Sequence, residues 1–268
     1  FDLGATLLTL LTIIAAAIWF FPVYWGIVTS LRYDDQTVKD FALIPMEPTL
    51  KNYIFDIQNS NLPIWYLNST IVSVGVTFLV VFMGACTGFA ISQLNFPGRK
   101  ALWWMILASF MVPVSALIVN HFIIIADVKL LNTHLGIILP MLIAPVTVIV
   151  YKQFFDGLPK EFREAAVMYG ASEFQLFFRV FLPLTKPGII AASLLVFISS
   201  LGFYVTPAIL GGGKVQMIAE YISVQLLVTV RWGVAAMLAT LMIASVLALM
   251  YVLNRFMKLS VVFGGVAR

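Results

Sequence analysis

Six stretches of this chain, residues 3–31, 57–98, 101–126, 130–151, 187–213 and 232–254, contain no Lys, Arg, Asp or Glu at all. Each exceeds the roughly 20 residues that a helix needs to cross about 30 Å of hydrocarbon. In lipid only helices and closed barrels satisfy every backbone N–H and C=O group. Apolar runs this long, without the two-residue alternation of a barrel strand, argue for helices. Within 57–98, Pro63 predicts a helix that starts near Ile64 and ends near Leu94. The expected fold is an all-α integral membrane protein, one transmembrane domain over 1–268. Its six spans fall near 3–31, 64–94, 101–126, 130–151, 187–209 and 232–254.

Composition agrees. Of 268 residues, 62% are hydrophobic and 10% charged, against about 25% charged in soluble domains, and the mean hydropathy is +1.02. So few charges could not cover a soluble globule, which excludes an ordinary soluble enzyme, a nucleic-acid-binding domain and a disordered chain. The net charge of +4 is therefore no sign of a nucleic-acid partner. Leu3 to Leu31 is too long for the apolar region of a cleaved signal peptide, has no basic segment before it, and reads as a retained span. Cys86 is the one cysteine, which excludes a disulfide framework and a cysteine metal site.

The loops assign the sides. One side would hold Arg99, Lys100, Lys152, Lys160, Arg163, Arg179, Lys186, Arg255, Lys258 and Arg268 with five acids including Asp2, a net of +5. The other would hold Arg32, Lys39, Lys51, Lys129, Lys214 and Arg231 with seven acids, a net of −1. The excess of Lys and Arg places the first side, and both termini, in the cytoplasm. Residues 32–63, with Asp34, Asp35 and Asp40, become a polar external loop. Residues 152–186 become the one large cytoplasmic loop. The apolar stretch within 215–230 is either a short interfacial or re-entrant helix or a coil.

The cytoplasmic loop has its own pattern. Pro159 suits a first helical turn. Phe162, Ala165, Ala166 and Tyr169 follow at helical spacing, and Gly170 stands where a helix end favours positive φ. Ser172 with Gln175 has capping-box spacing. Phe174, Phe177, Phe178 and Phe181 repeat the helical ridge before Pro183. Two short amphipathic helices joined at a glycine must bury their ridges, against the membrane surface and neighbouring helix ends or against a soluble partner.

Glu164-Ala165-Ala166, Gly170, Val180 and Leu182-Pro183 stand at the spacing of the EAA signature, and the chain resembles the permease subunits of binding-protein-dependent ABC importers. That resemblance implies that Phe162, Glu164, Ala165, Ala166, Tyr169, Gly170, Leu182 and Pro183 form a coupling helix on an ATP-hydrolysing partner. It implies a non-catalytic subunit of the bacterial inner membrane, with ATP and Mg bound by cytoplasmic ATP-binding subunits. It also implies a second, non-identical permease subunit and an external substrate-binding protein. YLNST near Tyr66, LNFPGRK at 94–100 and KLLNTHLGIILP at 129–140 resemble carbohydrate-type permeases. The fifth-span stretch Ser199–Pro207, followed by Gly211-Gly212-Gly213-Lys214, looks more like polyamine and opine types. A sugar or sugar derivative is the favoured solute, and a small nitrogenous solute the alternative.

Polar side chains inside spans are costly in lipid and tend to face cavities or protein. Asn68, Asn120, His121, Ser200 and Tyr204 are the candidates for a solute path, with Ser69, Ser109, Ser115 and Ser199 beside them; for serines, helix packing is the competing reading. His121 and His134 are the two histidines and no carboxylate cluster accompanies them, so no metal site is expected. No GxxxxGK[ST] loop is present, so the chain does not bind ATP in that way. An intramembrane protease lacks its serine elbow or paired aspartates, and a secondary transporter lacks paired intramembrane charges.

Overall fold

A computed structural model describes residues 3–33, 43–45, 47–142 and 144–257, and every regular element among them is helical. Asp2, Asp34, Asp35, Lys39, Asp40, Lys258 and Arg268, which entered the charge count above, lie outside the described residues. Three helices are long and apolar enough to cross a membrane: α1 (Leu3–Ser30), α3 (Leu62–Gln93) and α14 (Trp232–Met257). Pro63 sits inside the first turn of α3 rather than ahead of it. A missing N–H is harmless there.

The remaining apolar segments are broken. The segment expected at 101–126 is α4 (Arg99–Ser109), then a 3₁₀ turn Val114–Leu117 running into α5 (Ile118–Asp127), with a bend of 95°. Pro113, extended at ψ 125°, stops the first helix. The segment at 130–151 divides into α6 (His134–Ile138), a 3₁₀ turn Leu139–Leu142 and α7 (Pro145–Asp156). The short helices of the 152–186 loop are α8 (Lys160–Met168), α9 (Glu173–Leu176) and, after a π-helical turn Phe177–Phe181, α10 (Leu182–Leu184). The fifth expected span, 187–209, is α11 (Lys186–Leu201) and α12 (Val205–Leu210), separated at Gly202–Tyr204. At 1.5 Å per residue, the 16 residues of α11 reach only about 24 Å. The stretch within 215–230 contains α13 (Ile218–Leu227).

The described residues form two compact units. The first takes the chain up to Tyr66 together with Ile218–Met250. Its core is Leu62, Trp65, Ile218, Val234, Met237 and Leu238, with the Trp65 and Tyr221 rings 3.7 Å apart. Polar side chains fasten the end of α1 to α2 (Lys51–Asn59): Asn52 Nδ2 donates to the Arg32 carbonyl at 2.9 Å, and the Tyr53 hydroxyl donates to Ser30 Oγ at 2.8 Å. The long apolar face of α1 is exposed, as at Leu8 and Trp19. In lipid that is a solvated surface.

The second unit takes Leu67–Met217 with the chain from Tyr251. Helices in lipid lack a hydrophobic drive toward one another and gain most where small residues let backbones meet. Gly84 and Gly88 of α3 supply this against α7. A β-carbon at Gly84 would stand 2.6 Å from Thr147 Cγ2, and one at Gly88 would stand 2.8 Å from Tyr151 Cβ. Beside this contact, Phe89, Tyr151, Phe155, Phe177 and Phe181 build a buried aromatic cluster, with the Phe89 and Phe181 rings edge to face at 5.2 Å. The other end of the unit is packed by Val72, Val76, Val80, Ile125, Ile137, Leu210 and Met217.

Candidate functional site

The 152–186 loop folds as a helix, a glycine turn and a second helix. Pro159, with ψ 135°, occupies the N-cap of α8 rather than its first turn. The C-terminus closes as the glycine demands: Gly170 has φ 77°, its N–H donates to the Val167 carbonyl at 2.9 Å, and the Ala171 N–H donates to the Ala166 carbonyl at 3.0 Å. These are the paired bonds of a Schellman turn. Ser172 and Gln175 then form the expected capping box, the Ser172 N–H donating to Gln175 Oε1 at 3.0 Å and the Gln175 N–H to Ser172 Oγ at 3.3 Å. Arg163 Nη2 donates to Glu173 Oε1 at 2.7 Å across the turn. No pattern in the sequence announced this pair, because a ten-residue separation means nothing until the turn is folded.

The two aromatic ridges divide in an unexpected way. In the second ridge, Phe177 and Phe181 are buried, whereas Phe174 is 71% exposed and Phe178 partly so. The π-helical turn accounts for the split, because its wider pitch moves successive aromatics off one α-helical face. Pro183 does not close the helix but lies within the helical backbone that continues from the π-helical turn into α10. In the first ridge Ala166 packs on the aromatic cluster, while Phe162 is half-exposed and Tyr169 is 92% exposed. Met168 is likewise 87% exposed. The loop is anchored at its base and carries an apolar crest around Gly170.

At its base the loop is tied to α3. Ser92 Oγ donates to Asp156 Oδ1 at 2.6 Å, Gln93 Nε2 donates to the Phe155 carbonyl at 3.1 Å, and Lys152 pairs with Asp156.

Within the second unit, two cavities meet the helix breaks. One, of about 260 Å³, is walled by residues that include Ala144, Thr147, Ser199 and Ser200. The other, of about 220 Å³, is walled by Val114 and the irregular backbone Gly202–Thr206. Met141 and Phe203 belong to both walls. As apolar residues in apolar segments, these two carried no signal in the sequence.

The polar candidates are scattered. Tyr204 lies at the break between α11 and α12, half-exposed, in the wall of the smaller cavity. Ser200 is fully buried and donates to the Val196 carbonyl of its own helix at 2.7 Å. Ser109 does the same toward the Ile106 carbonyl at 2.8 Å. Asn68 is buried in a tie of its own: its Nδ2 donates to the Gln216 carbonyl at 3.0 Å and its Oδ1 is 3.0 Å from His134 Nε2. Because Asn68 Oδ1 can only accept, His134 Nε2 carries the proton of that bond. Asn120 is exposed on α5, and His121 Nδ1 is buried without a partner among the described residues. Among the described residues, no group of three His, Cys, Asp or Glu could hold a metal ion.

Comparison with known proteins agrees with this architecture. Residues 81–261 match the family described as binding-protein-dependent transport system inner membrane component. The arabinooligosaccharide transport system permease protein AraQ of Bacillus subtilis is 27% identical over 75% of this chain and 73% of its own length. The diacetylchitobiose uptake system permease protein NgcG of Streptomyces coelicolor is 30% identical over 75% of this chain and 67% of its own. The sn-glycerol-3-phosphate transport system permease protein UgpE of Salmonella typhi is 31% identical over 74% and 73%. Among solved structures, a chain of a bacterial ABC transporter that imports the acidic polysaccharide alginate superposes with a TM-score of 0.78, covering 95% of this chain and 96% of that one at 19% identity. The chain belongs to the family of binding-protein-dependent transport system inner membrane components and is a non-catalytic permease subunit of an ABC importer.

Proposed function

We propose that residues 152–186 dock in an ATP-hydrolysing subunit on the cytoplasmic side, with both termini on that side and the broken segments completing six spans. The observation that carries this reading is the crest at Gly170. Met168, Tyr169 and Phe174 project from the loop, while Phe177 and Phe181 lock its base into the aromatic cluster. Exposed apolar side chains on a firmly held base suit insertion into a partner's cleft. ATP and Mg belong to that partner. A second permease subunit completes the membrane part, and an external binding protein delivers the solute, a reading supported by the alginate ABC transporter solved in complex with a periplasmic protein.

The solute path runs along the two cavities at the helix breaks, with Tyr204, Ser200 and the backbone of Gly202–Thr206 facing it. Irregular backbone at membrane depth persists where it lines a cavity or is covered by protein. Sugars or sugar derivatives are the solutes, a reading supported by the arabinooligosaccharide and diacetylchitobiose relatives. ATP shifts the path between outward and inward states only by binding one state more tightly than the other. Deletion of residues 160–183 tests the docking reading: the ATPase subunit should no longer co-purify with the membrane-inserted chain. Undiminished co-purification would sink it.

A further inference from the structure

The turn between α3 and α4 carries a site that docking and solute passage leave unused. Residues 94–98 join the two apolar segments α3 and α4, and on the topology proposed above they lie where hydrocarbon gives way to lipid headgroups. Asn95, Phe96, Gly98, Arg99, Lys100 and Ala101 wall a concavity of about 600 Å³ there. Arg99 Nη1 donates to the Leu94 carbonyl at 2.9 Å and to Asn95 Oδ1 at 3.1 Å, which fixes the guanidinium on the rim. Its Nε and Nη2, and the whole Lys100 ammonium, have no protein acceptor among the described residues.

The surroundings select the ligand. Lys152 sits over the Trp103 ring at 4.9 Å and is paired with Asp156, so it is already committed and does not compete for the anion, and the Asp156 charge is offset. Trp104 leaves 69% of its surface exposed, and Met105 beside it 60%. Tryptophans concentrate at the membrane–water boundary, and basic pockets at that level bind anionic headgroups. A water-soluble acidic protein would satisfy the charges but leave Trp104 and Met105 uncovered. A phospholipid satisfies both, its phosphate on the Arg99–Lys100 rim and its acyl chain along α4. We propose that this concavity binds the headgroup phosphate of an anionic phospholipid. Zwitterionic lipids bring a phosphate too, but their ammonium offsets the attraction.

Native mass spectrometry of the full chain in detergent, supplied with phosphatidylglycerol or phosphatidylcholine, tests this. One phosphatidylglycerol should be retained in preference to phosphatidylcholine. Lys100→Gln should weaken that retention about fivefold, and Arg99→Gln with Lys100→Gln roughly 25-fold, at about one exposed basic contact's worth each. Arg99→Lys keeps the charge and should retain the lipid. The Lys100 side chain makes no hydrogen bond or ion pair among the described residues, so Lys100→Gln decides the matter even if changes at Arg99 disturb the turn. Equal retention of the two lipids, or unchanged retention in Lys100→Gln, overturns the proposal. Full displacement by millimolar inorganic phosphate overturns it as well, since the site would then take free phosphate rather than lipid.

Discussion

Arg163 and Glu173, one on each side of Gly170, meet at 2.7 Å and hold the two helices of the loop together. Both side chains are partly exposed, so the pair contributes no more than about 1 kcal/mol. Glu173→Ala should leave insertion and fold intact and lower the melting temperature only slightly. Its effect should appear in the loop, as faster amide exchange over 160–175, and in weaker ATPase association at low salt, the difference from the parent shrinking as salt screens the pair.

Gly170 holds φ at 77° with open space around the position where a β-carbon would stand. The cost of substitution is therefore backbone strain rather than collision, about 1–2 kcal/mol for a residue with a side chain. Gly170→Val should lose ATP-driven uptake while the chain still reaches the membrane, and Gly170→Asn should retain more of it, since asparagine tolerates this conformation. Equal uptake by Gly170→Val and the parent protein would count against the docking role.

Gly88 tells the opposite story, since space decides there. A β-carbon would lie 2.8 Å from Tyr151 Cβ and 3.0 Å from the Lys152 backbone nitrogen. Backbone atoms cannot swing away, so Gly88→Val should separate α3 from α7 and cost at least about 1–3 kcal/mol. Thermal unfolding in detergent measures this directly.

Asn68 ties three parts of the second unit through His134 and Gln216. Asn68→Leu leaves a partly buried carbonyl and a ring N–H without their partner, a loss of about 1 kcal/mol. Stability should fall, whereas the preference among solutes should not change. A shifted solute preference would move Asn68 from scaffold to path.

Tyr204 is the residue to change for the path itself. Tyr204→Phe and Tyr204→Ala should leave ATPase association and melting temperature near the parent values and alter solute uptake, the alanine variant more strongly. Uptake matching the parent in both variants would remove Tyr204 from the path.

The loop shows how far local chemistry reaches. A glycine at a helix end and a serine three residues before a glutamine each specify a cap by contacts within one turn, so Gly170 and the Ser172–Gln175 box were readable in the linear chain. The same holds for the apolar segments, because lipid forces any uncharged stretch of about 20 residues to satisfy its own backbone. Straightness was not readable. Pro113 and Gly202 are as compatible with a kink as with a full break, and what settles the matter is whether neighbouring segments can wall the freed backbone. Burial in the ridges was also undetermined: helical spacing placed Phe174, Phe177, Phe178 and Phe181 on one face, and a π-helical turn redistributed them. The charges sort into two sets in the sequence alone, because the uncharged spans divide them between alternate loops whose Lys and Arg counts differ. Arg163 with Glu173, Ser92 with Asp156 and Asn68 with His134 are contacts between distant parts of the chain, and only the packing of Gly84 and Gly88 against α7 and the folding of the turns bring such partners within reach.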